Sequence, residues 1–174
     1  TNSYSQQSIL LSTFPWLNNK ISTIYNGIDL EKFSPAIKKK HNNPIKIIAI
    51  ASVVAHKNVQ CLVQAMKILQ KQDLQLPEVY WVGRNTIQGE DQSFFDHINQ
   101  QIRESGIDKN WHWLDFRHDI VELLNTHDVL VHPSIVEGLP NVVCEALSCG
   151  CPVIVSDTLD HVNLVQNGES GYLF

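Results

Sequence analysis

Asp128-Val129-Leu130-Val131-His132-Pro133-Ser134 reads as a buried strand that runs into a loop, because its apolar run ends at a proline. Glu137-Gly138-Leu139-Pro140-Asn141-Val142-Val143-Cys144-Glu145 follows as a turn that opens a helix and carries two carboxylates eight positions apart. Ala146-Leu147-Ser148-Cys149-Gly150-Cys151-Pro152-Val153-Ile154-Val155 then supplies a helix end, a stop and a second buried strand. A strand–loop–helix–strand unit aims the helix N-terminus at the crevice beyond the strand's carboxyl end, where open parallel sheets bind ligands. Free amides and the helix dipole favour an anion there. Two acids fit beside an anion only if the ligand also carries hydroxyl groups. A nucleotide-diphosphate sugar carries both.

The pattern extends outward in both directions. Ile45-Lys46-Ile47-Ile48-Ala49-Ile50-Ala51-Ser52-Val53 is nearly continuous in apolar residues, as expected of a parallel strand buried on both faces. Val59, Leu62, Val63, Met66 and Leu69 recur at helical spacing. Val79–Val82 reads as a strand ending at Gly83, and a helix from about residue 93 to 105 stops at Gly106. Trp111–Leu114 is a short strand whose tryptophans read as core. Asp119 is placed to cap a helix over Ile120–Asn125. A short helix around His161–Val165, the turn Asn167-Gly168 and Tyr172–Phe174 close the chain. Six strands from residue 45 onward, mostly joined by helices, predict a doubly wound parallel α/β sheet.

Before residue 45 the text is different. Residues 4–13 predict a helix, Ile21–Tyr25 has strand composition, and Asn26-Gly27 is a turn signal. Residues 30–44, with Pro35 and Pro44, read as a linker. Residues 1–43 are therefore set apart from the sheet pattern of residues 44–174. Thr1 and the strand-like Gly171-Tyr172-Leu173-Phe174 suggest a piece of a longer enzyme, cut at both ends.

Composition excludes several functions. With 174 residues, 43% hydrophobic and 18% charged, the chain can bury a substantial core. A net charge of −5 leaves no footprint for nucleic acid, and Lys38-Lys39-Lys40 sits in linker sequence. No apolar run is long enough to span a membrane, and no signal-peptide pattern is present. Cys61, Cys144, Cys149 and Cys151 lack the paired spacing of a metal site and read as buried thiols of a cytoplasmic protein.

Tyr25-Asn26-Gly27-Ile28-Asp29 with Phe33 and Pro35 stands first in a longer series. Lys57-Asn58, Pro133-Ser134, Glu137-Gly138, Glu145-Ala146, Gly150-Cys151-Pro152-Val153, Asn167-Gly168 and Gly171 complete it. In number and order they resemble the group-one family of retaining glycosyltransferases. The resemblance implies the C-terminal, Rossmann-like half of a two-domain GT-B enzyme, with residues 1–43 as the tail of the N-terminal acceptor domain plus the linker and 44–174 as the nucleotide-sugar-binding domain, truncated at its C-terminus. It would hold a UDP- or GDP-sugar donor, while the N-terminal domain holds a glycan or lipid-linked acceptor. It implies no cofactor and no metal. The complete enzyme is expected in the cytoplasm, at the inner face of the membrane through peripheral association.

Carried over residue by residue, the resemblance makes Glu137 face the donor sugar and Glu145 the ribose. A carboxylate accepting from a vicinal diol gains roughly 1.5–3 kcal/mol per charge-assisted hydrogen bond. The segment Gly138-Leu139-Pro140-Asn141-Val142 would offer backbone amides to phosphate or sugar oxygens. Lys57 precedes a helix, where a cation costs about 0.3–1 kcal/mol against the dipole unless an anion binds and reverses the sign. The family uses such a lysine to neutralise the departing diphosphate. Each residue alone has a plainer reading: Glu137 and Lys57 as solvated loop charges, Glu145 as a first-turn helix acid. Gly83 either lets the nucleotide approach closely or only turns the chain. His132 fits a core, a capping or a ligand-contact role.

Departures from the family pattern concern the site. Ser52 stands where the family places an arginine, with His56, Arg84 or Arg117 as candidate replacements. Asp115 occupies a glycine position, Leu159-Asp160 replaces a pair of glycines, and Asn163 replaces an acid. The implied mechanism is front-face attack, in which the acceptor hydroxyl enters beside the leaving phosphate. Residues 1–174 alone are expected to bind a nucleoside diphosphate weakly and to transfer nothing. Rival readings are a nucleotide-sugar epimerase or phosphorylase of the same architecture, or a binding module without turnover. A dinucleotide oxidoreductase is excluded because no Gly-x-Gly-x-x-Gly follows the first strand.

Overall fold

The computed structural model describes residues 1–36, 42–83 and 90–174, with residues 90 and 91 described by their backbone alone. Arg84 and Lys38-Lys39-Lys40 lie outside the described residues. Helix α1 (Tyr4–Thr13) comes first, and the Ser3 hydroxyl caps it by accepting from the Gln6 amide at 3.0 Å. The remaining elements alternate: β1 (Lys46–Ile50), α2 (Val59–Lys71), β2 (Glu78–Val82), α3 (Glu90–Glu104), β3 (Trp111–Leu114), α4 (Ile120–Thr126), β4 (Val129–His132), α5 (Asn141–Ser148), β5 (Val153–Val155), α6 (His161–Leu164) and β6 (Gly171–Leu173). The six strands form one sheet in the order β3-β2-β1-β4-β5-β6, and every pairing is parallel. The expected α/β doubly wound sheet is present.

Alternation along each strand divides the interior into two cores. Ile48, Val82, Leu130, Val153 and Val155 point to one face, where they meet Leu124, Val143 and Ala146 of α4 and α5. Ala49, Val79, Trp81 and Val131 point to the other, against Val59, Val63 and Met66 of α2 and Ile98 and Ile102 of α3. Fully burying one such aliphatic side chain stabilises the fold by roughly 1.5–3 kcal/mol. The tryptophans at 81, 111 and 113 stack or tilt against one another in the second core. Cys149 and Cys151 are buried in the first.

Two local expectations are corrected. Ile21–Tyr25 is extended but forms no strand: the Ser22 carbonyl accepts from the Thr1 amino group at 3.0 Å and the Ile24 amide donates to the Thr1 carbonyl at 2.9 Å, and this single residue does not extend into a ladder. Asp119 stands at the N-cap of α4 without capping it. Its carboxylate is engaged instead by the Arg117 guanidinium, at 2.8 Å from Nε and 2.5 Å from Nη2. A two-pronged ionic partner outbids one backbone amide.

The segment before β1 is packed on the sheet unit. Phe33 inserts into the first core. Asn125 of α4 donates to the Ser34 carbonyl at 3.1 Å and accepts from the Ala36 amide at 2.7 Å. Among the described residues, no helix is long and apolar enough to cross a membrane.

Candidate functional site

The chain leaves β1 toward β2 on one side and leaves β4 toward β5 on the other, although β1 and β4 are neighbours. This is the topological switch point, and the loops after β1 and β4 must diverge and leave a crevice. A bond from the Ile135 amide to the His56 carbonyl, 2.9 Å long, stitches the two loops together. Lys57, at the end of a short 3-10 turn (Ala55–Lys57), ion-pairs across the crevice with Glu137. Asn58 follows in the left-handed region at φ 55° and turns the chain into α2.

Glu137 has more than one partner. His132, buried at the end of β4, lies with Nε2 2.9 Å from Glu137 Oε1. A carboxylate oxygen can only accept, so Nε2 carries the proton and donates. The Ser134 hydroxyl lies 3.2 Å from the same nitrogen. Burial pushes the Glu137 carboxyl up, but hydrogen bonds from His132, Lys57 and Ser134 outweigh it and hold the group at about 2. The acid is thus a fixed anion, not a proton donor near neutral pH.

Around this pair opens a cleft of about 500 Å³, lined by His56, Lys57, Val136, Glu137, Gly138 and Leu159, with Gln6 and Ile9 of α1. A second cavity of about 600 Å³ lies over the ends of β1, β2 and β3. Ser52, Gly83, Phe116 and Arg117 line it, on a base of Ile50, Val82 and Ile120. Gly83 is required there by the protein itself: at φ 153°, an added Cβ would stand 2.0 Å from the Ala51 carbonyl oxygen. Of the three candidate replacements for an arginine at Ser52, Arg117 shares the Ser52 cavity, His56 lines the Lys57 cleft, and Arg84 is outside the described residues.

Helix α5 begins at Asn141, and no side chain caps it. First-turn N–H groups leave a helix along its axis, here toward the loop that carries Glu137. Leu139 and Pro140 are buried beneath that turn, Val142 is half-buried, and the Asn141 side-chain oxygen accepts from Asn26 Nδ2 at 2.9 Å. Glu145, one turn further along, is half-buried and lines neither cavity. Burial raises its carboxyl pKa, and Lys32 opposes that shift.

The fold therefore brings Lys57, Glu137 and Gly138 into one cleft and Ser52 and Gly83 into another, with the open end of α5 beside them. The sequence reading did not assign the bond from His132 to Glu137, nor the walls formed by Phe116 and Leu159. The spacing His132-x-x-x-x-Glu137 across a loop gives no periodic signal that would reveal it.

The family model for group 1 glycosyl transferases matches residues 31–174. The chain belongs to that family. An Escherichia coli relative, UDP-Gal:alpha-D-GlcNAc-diphosphoundecaprenol alpha-1,3-galactosyltransferase, is 32% identical over 163 residues, which cover 88% of this chain and 41% of that protein. Anabaena Alr3699/HepE, solved in complex with UDP and glucose, superposes with a TM-score of 0.84 at 24% identity, over all of this chain and 48% of that one. The C-terminal domain of a glycosyl transferase group 1 family protein (LpcC) from Francisella tularensis superposes with a TM-score of 0.70 at 23% identity, covering 85% of this chain and 80% of that domain. The fold is thus a Rossmann-like unit of the GT-B type, and the chain spans less than half the length of its curated relatives.

Proposed function

We propose that this chain supplies the donor site of a retaining glycosyltransferase that moves a hexose from a nucleotide-diphosphate sugar to a lipid-linked glycan. The observation that carries the reading is the Lys57–Glu137 pair, set at the switch point beside an uncapped helix N-terminus. In this reading the nucleoside lies over the cavity of Ser52 and Gly83. The diphosphate meets the first-turn amides of α5. The sugar occupies the Lys57–Glu137 cleft.

Donor entry exchanges an internal ion pair for two external contacts. The Lys57 ammonium turns to the diphosphate and stabilises the charge that grows on it as the glycosidic bond breaks. The Glu137 carboxylate, still held by His132, accepts from sugar hydroxyls. Glu145 takes the ribose diol. The acceptor hydroxyl attacks from the leaving-group side, so the anomeric configuration is kept and the departing phosphate takes the proton. The reading assigns no cofactor or metal to the chain.

The donor and acceptor named for the E. coli relative support a UDP-sugar and a polyprenyl-diphosphate acceptor, with a GDP-sugar as the alternative donor. A lipid-linked acceptor would bring the complete enzyme to the membrane surface. Calorimetric titration with UDP, GDP and ADP tests the reading directly. One of them is expected to bind in roughly the micromolar range, near −8 kcal/mol. Binding of none of the three overturns it. Ser52, standing where the family has an arginine, favours one second reading, a donor-binding module without turnover; product formation by the complete enzyme decides against it.

A further inference from the structure

Leu159 is the feature of the cleft that the donor reading leaves unexplained. Its backbone is left-handed, at φ 46°. Side chains with a Cβ avoid this region, and they persist there only where surrounding contacts over-determine the turn. The turn between β5 and α6 is held in that way on three sides. The Thr158 hydroxyl donates to the Ile135 carbonyl at 3.1 Å, which ties the turn to the loop carrying Glu137. The Asp160 carboxylate accepts from the Ser5 amide and hydroxyl at 3.2 and 2.8 Å. His161 Nδ1 donates to the Ser156 carbonyl at 2.8 Å. Out of this frame the leucine lines the same cleft as Lys57, Glu137 and Gly138.

Position along the sheet says which part of a ligand it meets. Ser52 and Gly83 follow β1 and β2, whereas Leu159 follows β5, on the other side of the switch point. A ligand spanning the crevice with its nucleoside over β1 and β2 reaches the Leu159 turn with its opposite end. We propose that Leu159 is a specificity-determining residue, an apolar wall that limits the bulk of the sugar lying against Lys57 and Glu137. This rests on the donor-site reading above. A hydrocarbon side chain there offers no hydrogen bond to a ring hydroxyl, so it discriminates by exclusion. Exclusion by a side chain of this size is worth roughly 10–200-fold between ligands that differ by a small group.

The test uses Leu159→Gly, which removes the wall and suits the left-handed backbone, and Leu159→Ala, which shortens the wall and keeps a Cβ. Each is titrated calorimetrically with UDP, UDP-glucose and UDP-N-acetylglucosamine, beside the parent chain. The affinity for UDP-N-acetylglucosamine relative to UDP-glucose is expected to rise at least about fivefold in Leu159→Gly and less in Leu159→Ala, while UDP alone changes by under about twofold. A ratio within about twofold of the parent in both variants, each melting cooperatively, overturns the proposal while leaving the donor site standing. Failure of the parent chain to bind UDP, GDP or ADP overturns the donor reading and this inference with it.

Discussion

The two cavities at the carboxyl edge of the sheet differ in how their polar groups are spent. In the Lys57–Glu137 cleft every charge already has a protein partner: lysine with glutamate, and glutamate also with His132 and Ser134. In the Ser52–Gly83 cavity the walls are Ile50, Val82, Phe116 and Ile120, and Arg117 is bound to Asp119 at the rim. The contrast separates two ways of receiving one ligand. The apolar cavity gains by covering surface, at roughly 25 cal/mol per Å² of apolar area buried. The charged cleft gains only what its ligand contacts exceed the internal pair they replace. On the proposed reading, specificity for diphosphate and sugar resides where binding must break something.

Five changes would break or sharpen that contrast. The largest effect is expected from Gly83→Ala in the apolar cavity, because the new Cβ would lie 2.0 Å from the Ala51 carbonyl. A backbone obstruction of this kind costs about 3 kcal/mol, and urea denaturation should show the midpoint falling accordingly. A midpoint unchanged from the parent would mean that β1 and β2 separate more easily than their register indicates.

Next comes Lys57→Ala in the charged cleft. UDP affinity is expected to fall about tenfold, while uridine affinity stays within error. Equal losses for both ligands would remove Lys57 from the diphosphate. Glu145→Ala should follow, weakening UDP about fivefold in the same titration. An unaltered affinity would remove Glu145 from the ribose, and the first-turn reading is closed to it as well, because no acid lies in the first turn of α5.

The smallest effects are read against pH. Glu137 has a folded pKa of about 2, below its ordinary 4.5, so its contribution to stability is present above 4.5 and lost as pH falls from there toward 2. Glu137→Gln should flatten that part of the melting profile. His161 is also lowered, through burial that disfavours its charged form. A histidine so shifted stabilises above its unfolded pKa of about 6.5 and loses that contribution below it. Thermal melts between neutral and mildly acidic pH should fall less steeply for His161→Leu than for the parent, by at most about 1.4 kcal/mol per pH unit. Parallel profiles would show that His161 takes up its proton without opening the fold.

The sheet was legible because its strands are buried on both faces and so appear as continuous apolar runs, as at Ile45–Val53 and Asp128–Val131. Ile21–Tyr25 carried the same composition yet bonds along its backbone to Thr1 and joins no sheet, since a ladder depends on a neighbouring strand that composition cannot supply. The motif order brought Lys57 and Glu137 to notice, but not their mutual ion pair, which depends on how two loops far apart in the chain meet. Likewise Leu159-Asp160 was visible as a departure in sequence. Its left-handed backbone was not, because tertiary contacts from Thr158, Asp160 and His161 impose it. Asp119 misled for a related reason, since Arg117 claims the carboxylate that a helix start would use.

Ser5 and Asp160 are 155 positions apart and are joined by two hydrogen bonds, and against the burial that pushes it up, Ser3, Ser5 and Asn163 together hold the Asp160 carboxyl below its ordinary range. An acid enclosed in this way depends on the leading helix to keep its charge satisfied. Swinging that helix outward would hydrate the acid and release the turn it steadies, so the roominess of the Leu159 side of the cleft is geared to the helix that opens the fold.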